Sequence, residues 1–169
     1  MNGISKPSIQ LTHLKAAFSR YHAPKWPFRV ESSFVDNDVL KFQKIDWDKI
    51  NLHDFIGLID GFWQLSVKGL LHYIPKLYTL MINNKNDPLI YDVADAVLFK
   101  ICHGYDWIET VTQMAPDQRA ALIKVTQFLE QEIVTSSSME YSEMLIECFN
   151  KIKPSKDSPP DFGPPLSVA

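Results

Sequence analysis

The sequence contains few of the residues on which common catalytic and cofactor-binding motifs depend. Its 169 residues include six glycines and two cysteines, and no run of about 18 apolar residues that could cross a membrane. There is no HExxH sequence, no cysteine set at zinc-binding spacing, no glycine-rich phosphate loop and no nucleophile-elbow motif. These absences predict a protein that is not an enzyme and has neither a cofactor nor a bound metal.

An excess of basic charge is also missing. Lysine and arginine number 17 against 20 acidic residues, for a net charge of −3, whereas nucleic-acid-binding domains usually carry a strong basic excess. The N-terminal residues lack the apolar core of a signal peptide. Cys102 and Cys148 fall within apolar helical patterns, where a thiol acts as a small hydrophobic group. We therefore expect a cytoplasmic protein with reduced, unpaired cysteines that binds neither nucleic acid nor a membrane.

Apolar residues do recur at helical spacing, and the strongest pattern lies near the middle of the chain. Ser66 is a typical N-cap, since its side chain can accept a hydrogen bond from the first turn of a helix. The apolar stripe that follows has one member every three or four residues: Leu70, Ile74, Leu77 and Met81. Pro75 lies inside this stripe and has no N–H to donate, so the pattern predicts a kinked, buried central helix.

Weaker patterns predict helices before and after this one. They cover residues 8–22, 39–44, the segment from Asn51 to a stop at Gly61, the segment from Pro88 to Gly104, a long helix from Pro116 and a last helix ending near Ile152. The expected fold class is all-α, a single domain of residues 1–153 with about six helices around the proline-kinked one. Residues 154–169 are rich in proline and predict a disordered tail.

Three segments resemble the pattern of a small family of functionally uncharacterised bacterial proteins. They are Phe62-Trp63-x-Leu65-Ser66, Tyr73-Ile74-Pro75, and Pro116-Asp117-Gln118-Arg119-Ala120-Ala121-Leu122 with Phe128-Leu129. In that family a helix ending in Tyr-x-Pro precedes one that opens with Ser/Thr-Pro-Glu-x-Arg-Ala-Ala; this chain has Ala115 where the family has the capping Ser or Thr. The resemblance covers residues 50–130 and implies a fold and a bacterial source. It implies no activity, because the family has none assigned.

Acidic residues concentrate in residues 31–60 and 87–109 and include two Asp-x-Asp pairs, at 36–38 and 46–48. A calcium loop would need glycine at its sixth position and glutamate at its twelfth, and neither pair has them. On the helix after Pro88, Asp95 and His103 lie on one stripe. Helical rise separates them by about 12 Å, which is too far for the two groups to share a metal ion or a proton. These acids are therefore interpreted as solvent-exposed faces.

The first functional hypothesis is a non-enzymatic protein-binding module. A small acidic helical domain without catalytic motifs is suited to neutralise a basic toxin domain, as a bacterial immunity or antitoxin-like protein would, because complementary charge speeds association. The predicted contacts are acids with two tryptophans as aromatic anchors: Asp36, Asp38, Asp46, Trp47, Asp48, Asp92, Asp95, Asp106, Trp107 and Glu109.

The competing hypothesis is a small enzyme or ligand-binding domain with a pocket beside the kink. A proline kink frees the carbonyl of the preceding turn and can open a pocket next to it. The predicted pocket residues are His72 and Tyr73, with Asp60 as the acid. A ligand site predicts a pocket that contains His72, whereas an interaction module predicts an exposed acidic surface. A homodimer formed through an apolar helix face is a third alternative.

Overall fold

In the computed structural model, residues 6–29, 37–133 and 140–152 are described, and they form nine helices. In chain order these are α1 (Lys6–Ala17), α2 (Asn37–Gln43), α3 (Leu52–Ile56), α4 (Ile59–Trp63), α5 (Val67–Asn83), α6 (Ile90–Cys102), α7 (Trp107–Gln113), α8 (Pro116–Ile133) and α9 (Tyr141–Lys151). The predicted tail, residues 154–169, lies outside the described residues.

The all-α fold class is confirmed for the described part of the chain. Its extended pairing is limited to one isolated bridge between Phe28 and Leu65. The nine helices exceed the six or so expected because several are short, five to seven residues in α2, α3, α4 and α7. No helix among the described residues is long and apolar enough to span a bilayer.

Helix α5 is the centre of the packing, and it continues through Pro75 as a single element of 17 residues. Eleven of those residues are buried, which places both faces of the helix in the core. The N-cap prediction is confirmed, since Ser66 Oγ accepts a hydrogen bond from the Gly69 N–H at 3.1 Å. Helices α1, α6, α7 and α8 all contact α5.

The first helix ends earlier than predicted, at Ala17 rather than residue 22. Just beyond it, both the N–H and the hydroxyl of Ser19 donate to the carbonyl of Ala16, at 3.2 and 2.8 Å. These bonds span three residues and close a tighter turn, so the α-helical pattern does not continue. The apolar side chain of Phe18 nevertheless reaches the core from this turn.

The predicted helix from Asn51 to a stop at Gly61 is also wrong in its bounds. Two helices occupy this segment: α3 ends with Gly57 as its C-cap, and Gly61 lies inside α4. A Cβ at Gly61 would lie 2.7 Å from Cβ of Phe42 and 2.8 Å from the Asp38 carbonyl oxygen. Gly61 therefore permits the close approach of α2 to α4 and does not end a helix.

A buried polar pair joins α5 to α8. The hydroxyls of Tyr78 and Thr126 are 2.7 Å apart, and the Thr126 hydroxyl also lies 2.8 Å from the Leu122 carbonyl oxygen. Because that carbonyl can only accept, the Thr126 proton is committed to it, and Tyr78 donates to Thr126. Both side chains are fully buried.

This donor order predicts unequal effects of the two single substitutions. Thr126→Val leaves the buried Tyr78 hydroxyl without an acceptor and should lower the free energy of unfolding by about 2 kcal/mol, whereas Tyr78→Phe should cost about 1 kcal/mol. The double variant should lose less than the sum, because neither partner is then left unpaired. Urea denaturation of the four proteins measures this cycle, and additive losses would contradict the pairing.

Candidate binding sites

Several predicted contact acids are engaged with neighbouring lysines in the structure. Asp38 forms an ion pair with Lys41 at 3.2 Å on α2. Asp46 pairs with Lys49 at 2.8 Å in the loop that follows, and it accepts the Asp48 N–H. Asp36 lies outside the described residues. These local pairs reduce the charge that this segment presents to a partner.

The predicted acids around α7 have local partners of a different kind. Asp106 is 3.6 Å from an Arg29 guanidinium nitrogen, and Glu109 accepts a hydrogen bond from Gln113 at 2.9 Å. Trp107 is partly buried and packs against the core. Both acids of this group, Asp106 and Glu109, are therefore already in contact with neighbouring side chains.

Trp47 belongs to an aromatic cluster and is only partly exposed. Its ring centroid is 5.8 Å from that of Phe42 and 5.2 Å from that of Tyr73. The Lys76 ammonium lies 5.9 Å from the Trp47 ring centroid. The indole thus supports the loop between α2 and α3, and its remaining exposed part lines a cavity beside α5.

An open groove of about 680 Å³ lies between α6 and α9, closed at one side by the end of α4. Its walls are mainly apolar and are lined by Trp63, Asp95, Ala96, Phe99, Glu140, Tyr141 and Met144. We call these seven residues the α6–α9 groove. Phe99 is 53% exposed, although its ring lies edge-on to Trp63 with centroids 6.2 Å apart.

Carboxylates border the apolar part of the groove. Asp95 accepts a hydrogen bond from the Tyr141 hydroxyl at 2.8 Å, which joins the two helices. Burial, and then this hydrogen bond, raise the pKa of Tyr141, so the hydroxyl stays protonated as a donor. A hydrogen bond to Glu140 and its charge raise the pKa of Glu143, which shows how closely the acids are spaced. No lysine or arginine is among the described groove residues.

Of the predicted contacts, only Asp95 lines this groove, and Asp92 is exposed one turn earlier on α6. Sequence reasoning missed the apolar members, although Phe99 carries a recognisable signal. It falls outside the buried stripe of α6, on the face that carries the acids, where a large aromatic residue is unusual. Met144 and Tyr141 on α9 become groove residues only through the packing of α9 against α6, which no single-helix pattern reveals.

A second cavity, of about 360 Å³, lies beside Pro75. It is formed by the middle of α5, the end of α1 with the turn after it, and the loop between α2 and α3. His72 lines it, as the pocket hypothesis requires. Tyr73 and Asp60 are not among its lining residues, and the acid that faces it is Asp48.

Four polar groups at this cavity make no hydrogen bond or ion pair with another described residue: two ammonium groups, one carboxylate and one imidazole nitrogen. The Lys15 and Lys76 ammonium groups and the Asp48 carboxylate make neither a hydrogen bond nor an ion pair within 4 Å. His72 Nδ1 is 2.9 Å from the Tyr21 carbonyl oxygen, which can only accept, so Nδ1 carries the hydrogen and Nε2 is left free. Burial lowers the pKa of Lys76, while the Asp48 carboxylate opposes that shift.

The part of the chain that the structure describes contains neither a metal-binding cluster nor a disulfide. No three His, Cys, Asp or Glu side chains there converge on a point that could hold a metal ion. The two cysteines are free thiols buried between α6 and α9. Cys148 Sγ lies 3.9 Å from the Cys102 carbonyl oxygen, and a hydrogen bond to Cys148 together with burial raises the pKa of Cys102. Such a thiol is unreactive at neutral pH.

Comparisons with protein families, with curated proteins and with solved structures found no match for this chain. The resemblance to uncharacterised bacterial proteins therefore stays a prediction.

Proposed function

We propose that the chain is a non-enzymatic protein-binding module that holds a cationic amphipathic helix of its partner in the α6–α9 groove. The observation that carries this proposal is the groove itself, an apolar cleft of about 680 Å³ with Phe99 half exposed. Exposed apolar clefts of this kind, bordered by polar residues, commonly mark interaction sites.

Charge complementarity identifies the partner's chemistry. Asp95 and Glu140 line the groove, Glu143 is next to Glu140, and Asp92 is exposed one helical turn from Asp95. An apolar helix face flanked by lysine or arginine matches an apolar floor with an acidic border, since each charge is then paired near the rim. An acidic or neutral helix would leave the negative charge of those carboxylates without a countercharge.

The biological role we propose is neutralisation of a basic toxin domain, as in bacterial immunity or antitoxin-like proteins. Blocking a partner needs fast association and a specific fit more than chemistry, and an acidic binding face supplies the steering. This proposal moves the predicted interface away from Asp38 and Asp46, whose charges are paired with lysines, and from Glu109, which does not line the groove, and onto α6 and α9.

A designed peptide pair tests the groove directly. We expect a helical peptide with leucine on one face and lysine elsewhere to bind with an affinity that falls as salt rises, while the same peptide with glutamate replacing lysine binds at least tenfold more weakly. Phe99→Ser should weaken the lysine peptide by about 30-fold, the effect of losing a central aromatic contact of about 2 kcal/mol. Fluorescence anisotropy of labelled peptides measures all of these affinities.

Matched substitutions elsewhere on the surface distinguish binding at a specific site from non-specific binding. Ile108 is 59% exposed on α7, so Ile108→Ser removes exposed apolar surface outside the groove and should leave affinity unchanged. Glu140→Lys should weaken binding, whereas Glu109→Lys, also near the start of a helix, should not. Equal losses within either pair would contradict the proposed face.

Affinity purification from native lysate, together with the product of the neighbouring reading frame, extends the test to the natural partner. A basic protein retained by the wild type and lost with Phe99→Ser would support the proposal. A partner retained equally by both baits would overturn it. If the wild type is a dimer that Phe99→Ser makes monomeric, the occupant of the groove is a second copy of this chain and the toxin hypothesis is wrong.

A further inference from the structure

We propose that the cavity beside Pro75 binds a small planar aromatic molecule that carries one carboxylate. This site is separate from the α6–α9 groove, because it is built from α1, α5 and the loop between α2 and α3. It goes beyond the proposed function and does not depend on it.

The size and the walls of the cavity suit a small aromatic body. Its volume of about 360 Å³ lies at the lower end of the range of small-molecule sites, about 300 to 1,000 Å³. Phe18, Trp47 and Pro75 form apolar parts of the lining, and Trp47 and Pro75 are both partly exposed, so a ligand ring can contact them.

The charges favour an anionic ligand. The two lysines and the Asp48 carboxylate give the lining one net positive charge, not counting His72. The Lys76 ammonium has three N–H groups that make no hydrogen bond to a described residue, and it lies 5.0 Å from the Tyr73 ring centroid and 5.9 Å from that of Trp47. A ligand carboxylate would satisfy those donors and pair the ammonium in a partly desolvated place.

The free groups also give a preferred orientation. His72 Nε2 is an acceptor when the ring is neutral, and the Asp48 carboxylate is also an acceptor, so both disfavour a second anionic group beside them. The ligand carboxylate therefore lies toward Lys76 and Lys15, and its ring lies toward Trp47 and Phe18. A dianion such as a phosphate monoester would place charge against Asp48 and is disfavoured.

Isothermal titration calorimetry with 2-naphthoate and its neutral analogue 2-naphthamide tests this inference. We expect 2-naphthoate to bind the wild type at least tenfold more tightly than the amide. Lys76→Met keeps most of the aliphatic stem against the aromatic cluster and should weaken 2-naphthoate about tenfold while leaving the amide unchanged. Lys76→Arg retains the charge and should retain the preference for the acid.

Two control variants make each outcome decisive. Lys68→Met removes an exposed lysine from the same helix, two turns before Lys76, and should leave both affinities unchanged. Phe99→Ser should also leave 2-naphthoate binding intact; loss of binding in this variant would place the ligand in the α6–α9 groove and overturn the inference. Absence of binding at about 5 mM, or equal affinity for acid and amide, would overturn it as well.

Discussion

Gly69→Ala is expected to lower the free energy of unfolding by about 3 kcal/mol. A Cβ at this position would lie 2.1 Å from the Pro27 carbonyl oxygen and 2.9 Å from its carbonyl carbon. Backbone atoms cannot rotate away as a side chain can, so α5 and the segment at Pro27 must separate. That clash outweighs the gain of about 1 kcal/mol that alanine usually gives in a helix.

Separation would also weaken the contacts that dock residues 27–29 on the start of α5. The Ser66 N–H and hydroxyl both donate to the Pro27 carbonyl at 2.8 Å, and the Arg29 N–H donates to Gln64 at 2.8 Å. These bonds tie the chain after α1 to the N-terminus of the central helix. The expected loss therefore combines steric overlap with weakened hydrogen bonds.

Gly57→Ala is the matched control for this substitution. Gly57 has helical dihedral angles, φ −63° and ψ −11°, and a Cβ added there would have its nearest neighbouring atom 3.4 Å away. Alanine should therefore be neutral or stabilise by about 0.5 kcal/mol through the unfolded state. Urea denaturation followed by circular dichroism measures both variants. A Gly69→Ala protein as stable as the wild type would contradict the docking of Pro27 on α5.

Much of the fold follows from local patterns in the sequence. The stripe after Ser66 identifies α5, and the serine caps it as the spacing predicts, because both properties depend on residues within a few positions of each other. Gly61 illustrates what such patterns miss. Its role is the approach of α2 to α4, and nothing within its own helix distinguishes a glycine that ends a helix from one that admits a neighbour.

The candidate sites are harder to predict from the sequence than the fold. The α6–α9 groove joins Phe99 to Met144, residues on helices whose relative placement is set by tertiary packing. The cavity had a stronger local signal, because His72, Lys76 and Thr79 share one face of α5 at helical spacing. Its acid could not be inferred, since Asp48 comes from a loop and Asp60, the predicted acid, does not line the cavity.

The second large effect concerns Lys100, which is only 7% exposed. Its ammonium donates to the Trp63 carbonyl at 2.8 Å and lies 5.5 Å from the Phe62 ring centroid. Arg29 donates to the same carbonyl at 2.9 Å. Burial, and then the positive charge of Arg29, lower the pKa of Lys100 from 10.5 to about 8, against the opposing effect of Asp106.

This shift makes stability depend on pH in a defined direction. Between pH 8 and 10.5 the unfolded chain binds a proton at Lys100 that the folded protein lacks, so folding becomes more favourable as pH rises. Below pH 8 both states are protonated, and this dependence on pH is absent. Across the window the gain should approach about 3 kcal/mol, since each pKa unit corresponds to about 1.4 kcal/mol. The neutral amine still has N–H groups to donate to the Trp63 carbonyl.

Lys100→Met isolates this contribution, because other groups titrate equally in both proteins. We expect the variant to be as stable as the wild type or more stable at pH 7, since it removes a buried charge and Arg29 still satisfies the Trp63 carbonyl. By pH 10.5 the wild type should have gained about 3 kcal/mol relative to the variant. Lys68→Met, which removes an exposed lysine, should give a curve parallel to the wild type. If urea denaturation from pH 7 to 10.5 gave a curve for Lys100→Met that is parallel to that of the wild type, the lowering of the Lys100 pKa by burial would be wrong.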